Sequence, residues 1–212
     1  MTASYRIDVD QAQLTEAISA FAFIGGNTPD AIRIAINKTA PKIRTLSSVK
    51  IREQVRLQAS YVKGKMTIRK ATRANLSASI NTPKRGLLLS KFSTDAQVAS
   101  EGTRWLRPPV VPKGGIRVRV KPGGAVKTVG NGAGGDKPFY IILKDSRALG
   151  IARRKSKYRN DIEVLHGPSL SQVFDSVRGD VTPEAGAEMT RQMIDAMRYI
   201  LVKKNPPEPV DD

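Results

Sequence analysis

The chain has 212 residues, with 36 Lys and Arg against 19 Asp and Glu, one His and no Cys, for a formal net charge of +17. That length suits one domain with appendages and can bury a real core without covalent staples. The missing thiols and lone imidazole exclude a disulfide framework and the usual transition-metal sites, and no apolar run approaches the roughly 20 residues of a membrane span. Absence of Cys fits a reducing compartment. The mixed, acidic start MTASYRIDVD has no signal-peptide pattern. These features lead to the expectation of a soluble, strongly basic protein whose partner is a polyanion or an acidic protein surface.

The charge is bipolar. Residues 1–32 sum to −3, 33–86 to +13, 87–160 to +12 and 161–212 to −5. A core of +25 is therefore flanked by ends of −8.

Residues 4–9 (SYRIDV) alternate apolar and polar, which predicts a short strand. Leu14, Ala17, Ile18 and Phe21 follow at helical spacing, up to Gly25–Gly26. Thr28-Pro29-Asp30 then reads as a helix start: a capping hydroxyl, a Pro where no donor is needed, and an acid meeting the dipole. The stripe Ile32, Ile36, Ala40, Ile43, Leu46, Val49 predicts a long helix to about residue 58. Pro41 inside it predicts a kink or break near Ala40, since an interior Pro costs about 3 kcal/mol. A second helix is expected after Ser60, through Arg69.

From 75 to 166 the pattern changes to strands at Leu76–Ile80, Leu87–Phe92, Ile116–Val120, Ala125–Val129, Phe139–Leu143, Leu149–Ala152 and Ile162–Leu165, separated by turn residues. In IRVRV, Ile116, Val118 and Val120 share one face and Arg117 and Arg119 the other. Two helices are expected to close the chain. Leu170, Val173, Phe174 and Val177 make the first, stopped by Gly179. Thr182-Pro183-Glu184 opens the second, whose stripe is Ala185, Met189, Met193, Ala196, Met197 and Ile200. Helices, then a mostly antiparallel sheet, then helices define an α+β class.

Few motifs suggest chemistry. Gly130, Gly132 and Gly135 spell G-x-G-x-x-G, but the strand-like FYIIL follows where a dinucleotide site needs a helix. The reading is a flexible loop, and no cofactor is expected. His166, beside Gly167-Pro168, has no marked nucleophile or carboxylate partner and reads as a turn edge. The spacing of Asp175, Asp180, Glu184 and Glu188 matches no calcium loop, so no metal site and no catalytic residue are assigned.

The basic segment 42–73 carries Lys42, Arg44, Lys50, Arg52, Arg56, Lys63, Lys65, Arg69, Lys70 and Arg73 against Glu53 alone. Such a face can neutralise phosphates with release of counterions; it can equally be a solvated face. Tyr61 is its only aromatic, so stacking of single-stranded bases has little support. Lys113, Arg117 and Arg119, with Lys121 and Lys127, suggest a basic hairpin, facing a partner or merely solvent. Trp105, between Arg104 and Arg107, is a candidate interface anchor, although a core Trp is the commoner case.

A resemblance adds to this reading. The stretch AIRIAINKTAPKIRTLSSVKIREQVRLQASYVKGKMTIRKAT, with LSASI and LLLSKFS after it, resembles the N-terminal half of the phage minor tail protein Z family, the tail completion proteins. Ala35-Ile-Asn37-Lys38 matches the family's A-x-A-x-N-[RK] helix element in its second half, Lys50-Ile-Arg52 its basic K-x-R stretch and Arg69-Lys70-Ala71 the end of its second basic helix. KPFYIILKDSRALGIARR and DIEVLHGPSLSQVF resemble its C-terminal segments. The likeness covers roughly residues 30–203 and rests on order and spacing. It departs at the first 25 residues, at the Gly-rich 100–135 region and at Pro41.

The resemblance implies a structural virion protein, assembled in the host cytoplasm, at the head-proximal end of a long phage tail. Its expected state is a homo-oligomeric ring, by analogy a hexamer, in the neck between tail terminator and head-completion or connector proteins. Viral double-stranded DNA would pass through the channel, and no membrane or enzymatic role is implied. Arg52, Arg56, Lys63, Lys65, Arg69, Lys70, Arg73, Lys113, Arg117 and Arg119 are the candidate DNA- or partner-facing residues. The corresponding layout is an extension over 1–26, a single α+β domain over 27–204 with a long basic and Gly-rich loop region near 95–137, and an acidic tail over 205–212 expected to be disordered. The rival reading is a free basic nucleic-acid-binding protein.

Overall fold

Helix and strand segregate along the chain in an α+β arrangement, as expected, in the computed structural model, which describes residues 3–7, 28–100, 107–131, 135 and 137–204. In order, the elements are β1 (Ala3–Ile7), α1 (Thr28–Gln54), α2 (Ala59–Lys65), β2 (Thr67–Arg69), β3 (Ala78–Thr82), β4 (Gly86–Leu88), a 3-10 turn (Leu89–Phe92) and α3 (Ala96–Ser100). They continue with β5 (Arg117–Val118), β6 (Lys127–Thr128), β7 (Phe139–Ile142), β8 (Leu149–Arg154), β9 (Ile162–Val164), β10 (His166–Ser169) and α4 (Leu170–Lys204). The expected helix over residues 10–23 and the tail 205–212 lie outside the described residues, as does most of the 1–26 extension.

The chain divides into two compact units: Met1–Lys50, Ser60–Pro83 and Phe174–Asp212 form one, Ile51–Ala59 and Lys84–Val173 the other. The strands form four small antiparallel sheets rather than one central sheet.

In the first unit, Ala31, Ile32, Ala35, Ile36 and Ala40 recur at three- and four-residue intervals on α1. They pack into one buried cluster with Met193, Ala196, Met197 and Ile200 of α4 and with Ala71 and Ala78. Alanines at successive turns let neighbouring backbones approach, while each buried Ile contributes about 1.5–3 kcal/mol. The sheet order is β1-β3-β2, and Ala78, Ile80 and Thr82 of the central strand are buried. Polar bonds tie the same elements. The Asn37 carboxamide holds the Ala71 peptide, and Thr39 Oγ1 donates to Met189 Sδ at 3.6 Å. Lys42 Nζ lies 2.5 Å from Glu188 Oε1.

The second unit is built around Phe92, fully buried at the end of the 3-10 turn. Leu87, Val118, Tyr140, Leu149, Ile151 and Ala152 of its strands are also buried, as is Ile116 just before β5. Its sheets are β10-β4, β5-β6 and β7-β8-β9, with an isolated bridge between Ser93 and Val118. Ser90, buried among them, is satisfied by donating to Leu149 O.

Several local expectations are corrected. α1 runs unbroken through Pro41 and ends at Gln54, not near 58. Pro41 sits on the exposed side, and the buried row Ile36, Ala40, Ile43 is continuous across it. The second basic helix stops at Lys65, and Thr67–Arg69 is a strand paired with β3. Leu87–Phe92 splits into a short strand and a 3-10 turn.

The two closing helical segments are one helix, with Pro183 inside it. Val177, Val181 and Ala185 keep a buried row across the proline, and Gly179, the residue four before it, is exposed so that water can serve its carbonyl. Thr182 does not cap there; its Oγ1 donates back to Arg178 O at 2.9 Å. Glu184 is accordingly a mid-helix residue. His166 stands in β10, opposite Leu88, rather than at a plain turn.

Candidate polyanion-binding surfaces

The ten basic residues singled out in the sequence fall five and five. Lys63, Lys65, Arg69, Lys70 and Arg73 belong to the first unit; Arg52, Arg56, Lys113, Arg117 and Arg119 belong to the second.

In the second unit backbone bonds gather three arginines from distant parts of the chain. Beyond the end of α1, the Arg56 N–H donates to Val120 O at 2.7 Å, and its guanidinium Nη1 donates to Ser93 O at 3.3 Å. The Arg119 N–H donates to Phe92 O at 2.8 Å, and Thr94 donates twice, from N and Oγ1, to Arg117 O. Arg56, Arg117 and Arg119 therefore ring the Phe92–Thr94 segment. The IRVRV alternation holds: Ile116 and Val118 are buried and Arg117 is exposed, although Arg119 is half-buried.

The Arg119 Nε is buried and unpartnered among the described residues. Arg117 and Arg119, two residues apart on one strand face, stand about 6.7 Å apart along the strand. That is on the scale of successive phosphates of one nucleic-acid strand. Arg52 is pinned nearby in the chain by its Nε donating to Leu57 O at 3.3 Å. Lys113 lies in the turn before β5 and is exposed.

In the first unit the charges are more dispersed. Arg73 is committed to Asp30, Nη2 to Oδ2 at 3.2 Å, and Asp30 also takes Arg33 at 3.4 Å. Lys65 Nζ lies 5.9 Å from the Tyr61 ring centroid, in cation–π range, and burial pushes the Tyr61 phenol up. Arg69 and Lys70 are exposed and Lys63 is half-buried. Trp105, the candidate anchor, lies outside the described residues.

Two polar groupings went unforeseen. Glu188 accepts from Lys42, Gln192 and Arg191, and these contacts, the Lys42 hydrogen bond foremost, hold its carboxyl below the usual range. In the second unit Tyr140 Oη donates to Asp95 Oδ2 at 3.3 Å and lies 3.5 Å from Ser93 Oγ. Burial raises the Tyr140 phenol, opposed by the Ser93 hydrogen bond and reinforced by Asp95. The raised phenol stays protonated and donates to Asp95. Residues 45 and 47 apart leave no local signal for such a cluster.

Among the described residues no three His, Asp or Glu side chains group as a metal site, and no helix is long and apolar enough to cross a membrane. The Gly130–Gly135 stretch is followed by β7, as the sequence expects, and not by the helix a dinucleotide site requires. An open hollow of about 470 Å³ beside α1, lined by Pro41, Lys42, Thr45, Leu46 and Val49, is a surface groove whose one charge is already paired with Glu188.

The α+β chain displays exposed Lys and Arg side chains, while Asp30, Glu163 and Glu188 are drawn into ion pairs. Its particular kind is fixed by comparison with known families: residues 13–204 match prophage minor tail protein Z, and the chain belongs to that family. It is a phage minor tail protein, and thus a virion component. No curated protein and no solved structure matches the chain.

Proposed function

We propose that this protein completes the head-proximal end of a phage tail, as a homo-oligomeric ring in the neck through which DNA passes. The observation that carries the reading is the Arg56–Arg117–Arg119 cluster, held in place by backbone bonds and, among the described residues, with the Arg119 Nε buried and unpartnered. A cation row of this kind fits a phosphate backbone, which is recognised by charge and spacing rather than by sequence. The acidic ends, −8 in total against a +25 middle, give copies and neighbouring rings complementary surfaces that steer assembly. The tail terminator on one side and a head-completion or connector protein on the other are the partners this position supplies. The role requires no cofactor and no catalytic residue.

Electron microscopy of particles made without the protein tests the position. The expected outcome is separate heads and tails; normal, joined and infectious virions would sink the reading. A free nucleic-acid-binding protein would instead be dispensable for joining and bind duplex tightly as an isolated monomer.

A further inference from the structure

The sheet of the first unit has three strands in the order β1-β3-β2. β3 is its central strand, with Ala78, Ile80 and Thr82 each at most 1% exposed and Ala78 packed into the α1–α4 core cluster. One edge takes β2, from Thr67↔Asn81 to Arg69↔Ser79. The other takes β1 in an unbroken antiparallel register from Ala3↔Thr82 to Ile7↔Ala78.

β1 stands apart from everything else in the chain. Twenty residues, 8–27, separate it from α1, and the family match begins at residue 13, downstream of it. The matched portion thus contains β2 and β3 alone. It leaves the ladder of β3 open along Ala78–Thr82, an edge that pairs readily with any extended chain. A 20-residue connection spans up to about 70 Å, so covalent geometry does not dictate which copy's β3 receives β1. The connection also carries three acids and no Lys or Arg, and so suits a path across the basic middle of a neighbour.

We propose that in the assembled protein β1 is exchanged: Ala3–Ile7 of each copy pairs with β3 of the next. The ladder bonds are the same in the exchanged and the self-paired forms, so exchange costs no contact. A neighbour already held in the assembly offers its β3 at an effective concentration of the same order as the chain's own, because the 20-residue connection must be spanned in either form. Each copy donates on one side and accepts on the other, a heterologous contact that closes in a ring. The inference rests on the homo-oligomeric ring proposed above.

The absence of Cys makes a clean test. Directly opposed residues on antiparallel strands have Cα atoms about 4.5–5.5 Å apart, within disulfide range. Ser4→Cys and Asn81→Cys are made singly and together, with Arg6→Cys and Ser79→Cys as a second register pair. Native mass first reports whether each assembly forms. Co-assembled single variants, mildly oxidised, are expected to give covalent pairs of the two chains, and the double variant a ladder of linked chains on a denaturing gel. If the assembly is intact but the double variant closes within single chains and the mixed singles stay unlinked, exchange is overturned while the ring stands. If the unmodified protein is monomeric both free and on the tail, the ring reading fails and exchange falls with it.

Discussion

Asn37 and Ala71 exchange two hydrogen bonds: Asn37 Nδ2 donates to Ala71 O at 3.0 Å, and the Ala71 N–H donates to Asn37 Oδ1 at 2.8 Å. The carboxamide thus stands in for a neighbouring strand, fixing the segment after β2 against α1. It joins two of the segments on which the family resemblance rests, Ala35-Ile-Asn37-Lys38 and Arg69-Lys70-Ala71. Asn37→Ala leaves a buried peptide N–H and C=O without partners, and is expected to cost about 1–3 kcal/mol by urea unfolding. Asn37→Asp keeps the acceptor but loses the donor, so it should also destabilise. An Asn37→Ala protein with an unchanged urea midpoint would remove this bridge from the account.

Glu188 gives stability a dependence on acid. Its carboxyl is held below its ordinary value of 4.5, first by the Lys42 hydrogen bond and also by Gln192 and Arg191. The folded state therefore binds that proton less readily than the unfolded chain. The stabilisation is fully present above about pH 4.5 and is lost as pH falls through the lower folded value. Glu188→Gln keeps much of the shape and removes the charge. It should be less stable than the parent at pH 6 and converge with it in the acid range, as read by thermal unfolding across pH. A constant gap at all pH values would show that the charge is not the source.

Sequence pattern revealed element type where burial is local and periodic. In the α1 stripe Ile32, Ile36, Ala40 and Ile43 are buried, and so are Ile116 and Val118 of IRVRV, whereas Leu46 and Val120 are half-buried and Val49 is exposed. It misled where a local signature competes with packing. Thr182-Pro183-Glu184 has every mark of a helix start, but the buried row Val177, Val181, Ala185 carries the helix straight through. Pro41 fails to break α1 for the same reason. The strand order β1-β3-β2 and the Tyr140–Asp95 contact depend on pairings across tens of residues, which no window of the sequence contains. The basic candidates were visible as residues, but not their partition: only the structure separates Arg73, tied to Asp30, from the Arg56–Arg117–Arg119 cluster.

Two glycines separate space from strain. A Cβ on Gly167 would fall 2.6 Å from Phe92 Cε2, against a ring that is fully buried. Gly167→Ala must displace that ring and is expected to cost about 1–3 kcal/mol. Gly64, inside α2, has nothing within 4 Å of an added Cβ, and Gly64→Ala should stabilise by up to about 1 kcal/mol through helix propensity. Opposite shifts in melting temperature for the two variants are the expected result; a tolerated Gly167→Ala would mean that Phe92 is less tightly held than its burial indicates.

The arginine cluster makes the proposed DNA contact measurable in the assembled protein. If Arg117 and Arg119 each neutralise a phosphate, replacing both by Gln removes two of the counterions released on binding duplex. The slope of log K against log salt should then flatten by about 1.8, and affinity should fall most at low salt. Arg117 is exposed, so Arg117→Gln alone should leave the unfolding midpoint in place while taking about half of that change. Arg69→Gln and Lys70→Gln, in the other unit, serve as matched exposed controls for a general loss of positive charge. A flattening confined to the Arg117 and Arg119 variants assigns the contact to β5 and the residue after it. Equal flattening in both pairs would mean that duplex senses only the net charge, and no slope change in either would leave the cluster to acidic protein neighbours instead.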